Sequence, residues 1–258
     1  MVKSKLVGLL LIFPTLSFGQ ESLLLRSLEP VVRGRTAKLV VDRLIGPKIE
    51  SQNLAQLEAV WVFIKTGQVQ ENRDSLGDFL VGDHLELPVP APGPVVVGIE
   101  FSPAPETIDP ALVPNHDSQV TPQSALTVTH RRSTMVIFDT DWPEKSPDSM
   151  VATTETSLSS SIHSLVDPTK VRVGGELAFE AVVQGSKVQN ATLTATNLGS
   201  GKSWRLKAAG NGVVKFAPES AGQYVIEFQY LRKPDPGTLA KMELFSSTLV
   251  VTVQGASK

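Results

Sequence analysis

The sequence predicts an all-β protein made of two β-sandwich domains in tandem. After residue 19, no stretch of about 11 or more positions carries apolar residues at the i, i+3, i+4, i+7 spacing of an amphipathic helix. Alternating apolar and polar residues recur instead, in short runs bounded by Gly, Pro, Asn or Asp. A chain of 258 residues, 41% of them apolar, is also long enough to bury two separate cores.

The alternation is clearest in residues 161–258, which are predicted to form the C-terminal domain. Between positions 177 and 183 the odd-numbered residues are apolar, while Glu176 and Glu180 lie on the other face. Similar runs are found at 161–166, 191–197, 204–207, 224–230 and 242–253. About seven short strands in about 100 residues are typical of an immunoglobulin-like sandwich. Trp204 and Tyr224 occupy the same alternate positions as the apolar residues of their strands, which predicts that both lie in the core. Tyr224, which follows a turn, is also predicted to form a tyrosine corner.

The N-terminal domain is predicted over residues 20–141 as a second, more loosely built sandwich. Its strands are expected at 23–28, 36–44, 59–65, 84–88, 95–102 and 126–138. Residues 59–65 are apolar on both faces, which predicts burial on both sides. A contact with the other domain could supply the second cover, and Trp61 is either a core residue or part of that contact. Prolines between residues 103 and 124 predict a loop with little regular structure. Residues 142–160, rich in Ser, Thr, Asp and Glu, are predicted to be the linker.

Residues 1–19 are predicted to be a secretory signal peptide. Lys3 and Lys5 precede an apolar stretch over 6–18, and Ser17 and Gly19 fit the positions before a cut at Gln20. The rest of the chain has no apolar run of roughly 18 residues, so no transmembrane segment is expected after cleavage. The expected location is therefore periplasmic or secreted.

Composition excludes several classes of function. A formal net charge of −2 lacks the basic character of a nucleic-acid-binding protein. The chain has no cysteine, which excludes thiolate metal sites, thiol catalysis and disulfides. No nucleophile elbow, P-loop or dinucleotide fingerprint is present, so the sequence predicts a protein that is not an enzyme.

Candidate metal ligands are scattered along the sequence. The four histidines, His84, His116, His130 and His163, stand 32, 14 and 33 positions apart, and none has a local partner at ligand spacing. Asp139 and Asp141 share one side of a strand end, where Glu144 could complete a Ca²⁺ site. The alternatives are surface histidines and a solvated strand end that prevents edge pairing. No cofactor is predicted, and a divalent metal remains an alternative.

One aromatic residue is a candidate for interaction. Trp142 lies at the predicted linker and is followed by Pro143, so it is the tryptophan expected to be exposed. Carbohydrate-binding modules on sandwich folds stack sugar rings on such side chains. Trp142 is therefore the predicted interaction residue.

The chain resembles the DUF4198 family of extracytoplasmic bacterial proteins. The residues that carry the resemblance are the segment 93–100 (GPVVVGIE), the junction 130–133 (HRRS), the segment 167–177 (DPTKVRVGGEL), the strand 191–195 and the segment 221–224 (AGQY). Some members resemble the periplasmic component of nickel and cobalt uptake systems. The C-terminal half is also similar to filamin-like and carboxypeptidase regulatory-like immunoglobulin-fold modules. Members with a metal function usually begin the mature chain with a histidine, whereas this chain has Gln20 there.

These observations favour a non-catalytic binding or structural protein that recognises a protein or a cell-envelope component. The recognition surface is expected at residues 103–123 together with the linker, because loops on a rigid sandwich commonly carry binding. The resemblance implies one alternative, a soluble metal-handling component of nickel or cobalt uptake. A carbohydrate-binding module is a further alternative.

Overall fold

The structure is a computed structural model that describes residues 21–29, 36–45, 48–53, 59–66, 70–74, 76–89, 93–117, 125–140, 150–153, 155–233 and 242–255. Within these ranges the chain is almost entirely β. The strands of the N-terminal half are β1 (Ser22–Ser27), β2 (Thr36–Ile45), β3 (Lys48–Ser51), β4 (Ala59–Thr66), β5 (Gln70–Asp74), β6 (Leu80–Val81), β7 (His84–Pro88), β8 (Gly93–Phe101), β9 (Ala104–Ile108) and β10 (Leu126–Thr140).

The C-terminal half continues in the same way. Its strands are β11 (Ser160–Ser164), β12 (Leu177–Val183), β13 (Ser186–Lys187), β14 (Thr192–Asn197), β15 (Ser203–Lys207), β16 (Val214–Phe216), β17 (Gly222–Arg232) and β18 (Glu243–Val253). The described helical segments are single 3₁₀ turns at Leu76–Asp78, Pro110–Leu112, Met150–Thr153 and Pro168–Lys170. The predicted signal peptide, residues 1–19, lies outside the described residues.

A nine-stranded sheet runs through both halves of the chain. Its order is β15-β14-β17-β18-β10-β8-β4-β5, with β9 paired to one end of β10. The two halves meet where β10 and β18 pair in parallel, from Thr129 opposite Glu243 to Val136 opposite Val250. The other strand pairs of this sheet are antiparallel.

Two smaller sheets cover opposite faces of this central sheet. One contains β1, β2, β7 and β6 with β3, and the other contains β11, β12 and β13 with β16. Alternate residues of β10 separate the two cores, because successive side chains of a strand point to opposite faces. Met135 and Ile137 pack with β12 residues, whereas Val136 and Phe138 pack with residues of β1, β2 and β7. The molecule therefore has three layers of sheet and two main cores.

Each half has the strand order of an immunoglobulin-like sandwich. In the C-terminal half, β11, β12 and β16 face β15, β14, β17 and β18. In the N-terminal half, β1, β2 and β7 face β5, β4, β8 and β10 in the same order. Because the last strands of the two halves are parallel and their partner sheets lie on opposite faces, an approximate two-fold axis along the strands relates the halves. The all-β fold with sandwich packing is confirmed, and the N-terminal half follows the same order as the C-terminal one.

The shared sheet explains which strands are buried on both faces. In β8 the residues from Gly93 to Ile99 are all buried, and Val95 and Val96 belong to different cores. The sequence predicted burial on both faces for residues 59–65 instead. These residues form most of β4, which does lie inside the central sheet. The side chain of Trp61 is outside the described residues.

The stretch predicted to be a linker packs against the C-terminal core where it is described. Val151, Ala152 and Leu158 are buried in that core, and β11 already begins at Ser160. Residues 141–149, which include Asp141 and Trp142, lie outside the described residues. The domain limits 20–141 and 161–258 stay a prediction. The nine-stranded sheet contains strands from both ranges.

The proline-rich loop prediction was wrong for residues 103–117. This segment forms β9 and the 3₁₀ turn Pro110–Leu112, where the Asp109 side chain accepts a hydrogen bond from the Ala111 N–H at 3.0 Å. Proline is compatible with both elements, because β9 is an edge strand and the first position of the turn needs no N–H donor. Ile108 and Val113 then pack with Leu231 and Leu244 of the C-terminal half in a third cluster.

The two predicted core aromatics differ in burial. Tyr224 is fully buried, and its hydroxyl donates to the Ser220 carbonyl at 2.9 Å, which confirms the tyrosine corner. Trp204 is only half-buried, which corrects its assignment to the core, because β15 is the edge strand of the sheet. Its ring packs against Phe216 and Tyr224, and the Lys202 ammonium lies 4.9 Å from its centre.

Candidate functional site

The histidines predicted as metal ligands lie on four separate elements. His84 begins β7, His116 forms a bridge beside Leu231, His130 lies in β10 and His163 in β11. Among the described residues, no group of three or more His, Asp or Glu side chains is arranged to hold a metal ion. The side chain of Asp139, at the end of β10, and the whole of Asp141 lie outside that part of the chain. The metal alternative therefore stays a prediction.

His84 and His163 make local contacts. The His84 ring lies 3.2 Å from carboxylate oxygens of both Asp83 and Glu86, and these hydrogen bonds, that to Asp83 first, raise the pKa of His84. His163 Nε2 lies 2.8 Å from the Ser161 hydroxyl in the same strand. Each ring is thus occupied by side chains close to it in sequence.

A hydrogen-bonded chain of serine, histidine and glutamate crosses the junction of the two halves. His130 Nε2 lies 2.7 Å from the Ser246 hydroxyl of β18, and His130 Nδ1 bonds to the Glu106 carboxylate of β9. The bond from His130 is the main cause that lowers the pKa of Glu106. These three residue types in this order resemble the triad of a serine hydrolase.

The Ser246–His130–Glu106 series is exposed at its carboxylate end and buried at its serine end, which is the reverse of what catalysis needs. The Glu106 side chain is 44% exposed, whereas His130 is 4% and Ser246 9% exposed. A nucleophilic serine must meet the substrate while the carboxylate orients the histidine from behind. Here the hydroxyl is the buried end, so we interpret the chain as a polar link between β9, β10 and β18.

Buried hydroxyl groups tie the first strand of each half to the β10–β18 junction. On one face, Ser133 donates to the Ser160 carbonyl of β11 at 2.6 Å and lies 2.9 Å from the Ser247 hydroxyl. These serines are almost fully buried. Polar residues of two adjacent strands thus satisfy one another where the sheet is covered.

The opposite face repeats this arrangement with threonines. Thr248 donates to the Leu23 carbonyl of β1 at 2.5 Å and lies 2.7 Å from Thr134, whose hydroxyl accepts from the Leu25 N–H at 2.8 Å. Near this face, burial raises the pKa of Glu227 in β17, and a hydrogen bond with Ser22 opposes that shift. The hydroxyls hold β1 and β11 at equivalent places on the two faces.

A polar cleft of about 710 Å³ opens where residues 114–117 meet the C-terminal half. Residues 114–117 of the N-terminal half, the β12–β13 hairpin with the turn that follows it, and the end of β17 form its walls. The lining side chains that contribute polar groups or an aromatic ring include His116, Gln184, Ser186, Gln189, Asn190 and Tyr230. Sequence reasoning missed most of this site, although it did expect a recognition surface within residues 103–123.

Asn115 fixes the N-terminal wall of the cleft to the C-terminal half. Its side-chain amide donates to the carbonyls of Thr192 (2.9 Å) and Gln229 (2.7 Å), and its oxygen accepts from the Thr192 N–H at 2.6 Å. Leu231 and Asn115 are also joined by a backbone hydrogen bond of 2.9 Å. Asn115 is buried, so its side chain replaces the strand partner that β14 and β17 lack at this point.

The ionic groups of the cleft have partners within the protein. The Tyr230 hydroxyl donates to the Asp117 carboxylate, which also accepts from the Lys233 N–H at 3.0 Å. Burial, and then the bond to Asp117, raises the pKa of Tyr230 to about 12. Lys187 pairs with Glu180, and Arg232 donates to the Gln184 side-chain oxygen.

Comparisons with known proteins name no family. No protein-family model and no curated protein sequence matches the chain. A solved structure described as a tetra-tandem repeat in the extending region of a large adhesion protein is similar at 12% identity and a TM-score of 0.22, over 91% of this chain and 50% of that one. A marsupial T cell receptor structure is similar at 10% identity and a TM-score of 0.22, over 93% of this chain and 75% of that one. The fold assignment depends on this chain's own strand order, not on these structures.

The described residues include no helix long and apolar enough to cross a membrane.

Proposed function

We propose that this chain is a non-catalytic, extracytoplasmic binding protein that uses the cleft between its two halves as its recognition surface. The observation that carries the proposal is the way Asn115 anchors one wall of the cleft to the other half of the molecule. A surface held by a rigid scaffold loses little conformational freedom on binding, which favours affinity.

The absence of a usable nucleophile at the Ser246–His130–Glu106 chain supports a binding role. Its hydroxyl is buried and its exposed end is a carboxylate that the histidine already engages. The cleft residues are instead exposed amides and hydroxyls on a hairpin and a short loop, elements that commonly carry recognition.

The extracytoplasmic location and the partner are part of the proposal. The basic and then apolar pattern of residues 1–19 supports export. The resemblance to DUF4198 proteins points the same way. The partner is a protein or a cell-envelope component.

Site-directed photo-crosslinking tests the proposal. A photoreactive amino acid is placed at Gln189, in the cleft, and at Lys215, an exposed control on β16 outside the cleft. After irradiation in an envelope fraction, we expect adducts of one defined component from position 189 alone. Equal adducts from both positions, no adduct from position 189, or turnover of a substrate in a broad hydrolase screen would contradict it.

A further inference from the structure

The cleft has the chemistry of a site for an uncharged, polyhydroxylated ligand, and we propose that it binds a neutral oligosaccharide. This inference rests on the proposed function, because it names the ligand class of the same cleft. Four features of the cleft support this ligand class: its hydrogen-bonding groups, its charge, an aromatic ring and a β17 edge that is already occupied.

The exposed polar groups of the cleft both donate and accept hydrogen bonds. Gln184, Gln189 and Asn190 are exposed side-chain amides, each with one acceptor oxygen and two N–H donors. Ser186 adds a hydroxyl and His116 an imidazole. A sugar hydroxyl also donates and accepts, so several adjacent amides match a row of hydroxyl groups.

Gln184 is held at the rim by its backbone. It has φ +48° and is followed by Gly185 at φ +73°, so the two residues form the tight turn between β12 and β13. The left-handed conformation is uncommon for a residue other than Gly, Asn or Asp. Its side chain accepts from Arg232, which fixes the amide oxygen and turns the amide donors toward other partners.

The charged side chains of the cleft have hydrogen-bonding partners within the protein. Asp117 accepts from the Tyr230 hydroxyl and the Lys233 backbone N–H, Lys187 pairs with Glu180, and Arg232 donates to the Gln184 amide oxygen. Recognition of an anionic ligand normally uses a cation that can form charge-assisted bonds to it. The two cations that line the described cleft, Lys187 and Arg232, are already engaged by Glu180 and Gln184, which favours an uncharged ligand.

Tyr230 supplies the aromatic surface. It is half-buried, and its ring stacks on Phe228 with centroids 6.2 Å apart and an interplanar angle of 19°. The bond from its hydroxyl to Asp117 holds the ring in one orientation. Such a ring offers an apolar face to the C–H groups of a sugar while its polar tip stays satisfied.

The backbone at the end of β17 disfavours an extended peptide that would add a strand there. Peptides that add a strand to a sheet need an open edge. At this end of β17 the edge is already occupied, because Leu231 donates to the Asn115 carbonyl and accepts from the Asp117 N–H. A volume of about 710 Å³ also lies within the roughly 300–1,000 Å³ usual for small-ligand sites.

Calorimetric titration of the purified full chain tests the inference. The probes are hexasaccharides of β-1,4-linked glucose, α-1,4-linked glucose and β-1,4-linked N-acetylglucosamine, with a hexamer of galacturonic acid as the charged contrast. We expect at least one neutral hexasaccharide to bind with one-to-one stoichiometry and more tightly than the galacturonate.

Variants link that binding to the cleft. Q184A and Q189A should each weaken binding about fivefold, the usual effect of losing one hydrogen bond. Q52A, an amide beside β3 outside the cleft, should change affinity less than twofold. Y230F keeps the ring and should bind within about threefold of the wild type, whereas Y230A should lose binding. If Y230A fails to fold, the two glutamine variants still decide the question.

Two results would overturn the inference: no neutral hexasaccharide binds, or the galacturonate binds more tightly. In either case, a single crosslinked partner at position 189 would leave the proposed recognition role standing with a different ligand. If no hexasaccharide binds and no partner is crosslinked at position 189, the recognition role is refuted as well.

Discussion

Replacing Asn115 with alanine removes the clamp between the two halves without touching either main core. Asn115 serves three backbone groups, the N–H and C=O of Thr192 and the C=O of Gln229, at 2.6 to 2.9 Å. In the N115A variant these groups would lie in a buried position without a protein partner. The change therefore isolates the contribution of hydrogen bonds across the junction.

The size of the effect follows from what those groups lose. A buried backbone group left unsatisfied costs about 1–3 kcal/mol. Water from the adjacent cleft can reach the site in the variant, so the lower end applies to each of the three groups. The free energy of unfolding should fall by about 3 kcal/mol, which lowers Tm by roughly 6–12 °C in a chain of this size.

Urea unfolding followed by circular dichroism, together with calorimetric Tm, measures this loss. The matched control is N190A, which removes an exposed amide from the same cleft and should change stability by less than about 0.5 kcal/mol. If N115A is as stable as N190A, the side chain does not hold the junction and the reasoning fails.

Four further results are expected. E227Q should raise the free energy of unfolding at pH 7, since burial raises the native pKa of Glu227 and ionisation opposes folding. This gain should shrink as pH falls toward the unfolded-state pKa of about 4.3, and equal stability of E227Q and wild type at pH 7 would count against the prediction. Because the His130 bond lowers the native pKa of Glu106, the wild type should lose stability as pH falls below about 4.3. The free energy of unfolding of E106Q should depend less steeply on pH in that range, and equal slopes for the two proteins would argue against the bond. Ser246 should not react with a fluorophosphonate probe, and labelling at Ser246 would reopen the question of catalysis. Titration with Ni²⁺ or Co²⁺ should give no stoichiometric binding, whereas binding lost in H84A or H116A would support the metal-handling alternative.

The strands and the tyrosine corner could be predicted from sequence because both are encoded locally. Leu177, Phe179, Ala181 and Val183 are buried on one face, as their period of two requires. The turn before Tyr224 likewise places its hydroxyl next to Ser220, only four residues upstream.

The shared sheet could not be predicted in the same way. Parallel pairing of β10 with β18 joins residues more than 100 positions apart, and no local pattern specifies which edges meet. One signal was present in β8, where three consecutive valines, Val95, Val96 and Val97, indicate burial on both faces. That pattern is typical of a strand inside a sheet covered on both sides.

The cleft depended on contacts that sequence does not display. Asn115 lies between a proline and a histidine in a segment whose sequence predicts a loop. Its hydrogen-bond partners are 77 and 114 positions away in the sequence. The prolines favoured irregular structure, whereas packing of Ile108 and Val113 against the C-terminal half ordered the segment. Tertiary burial outweighed local preference here.

Hydrogen exchange at the β10–β18 pair tests most directly whether one continuous sheet holds the two halves, and with them the cleft, as a single scaffold. The backbone amides of Thr129–Val136 and Glu243–Val250 would be followed by mass spectrometry of the native full chain. If one continuous sheet joins the halves, both segments exchange with the slowest class of amides and at matching rates, since they open only when the whole sheet unfolds. Fast exchange in either segment, while the cores behind β12 and β2 remain protected, would show that the halves are separate units and would contradict it.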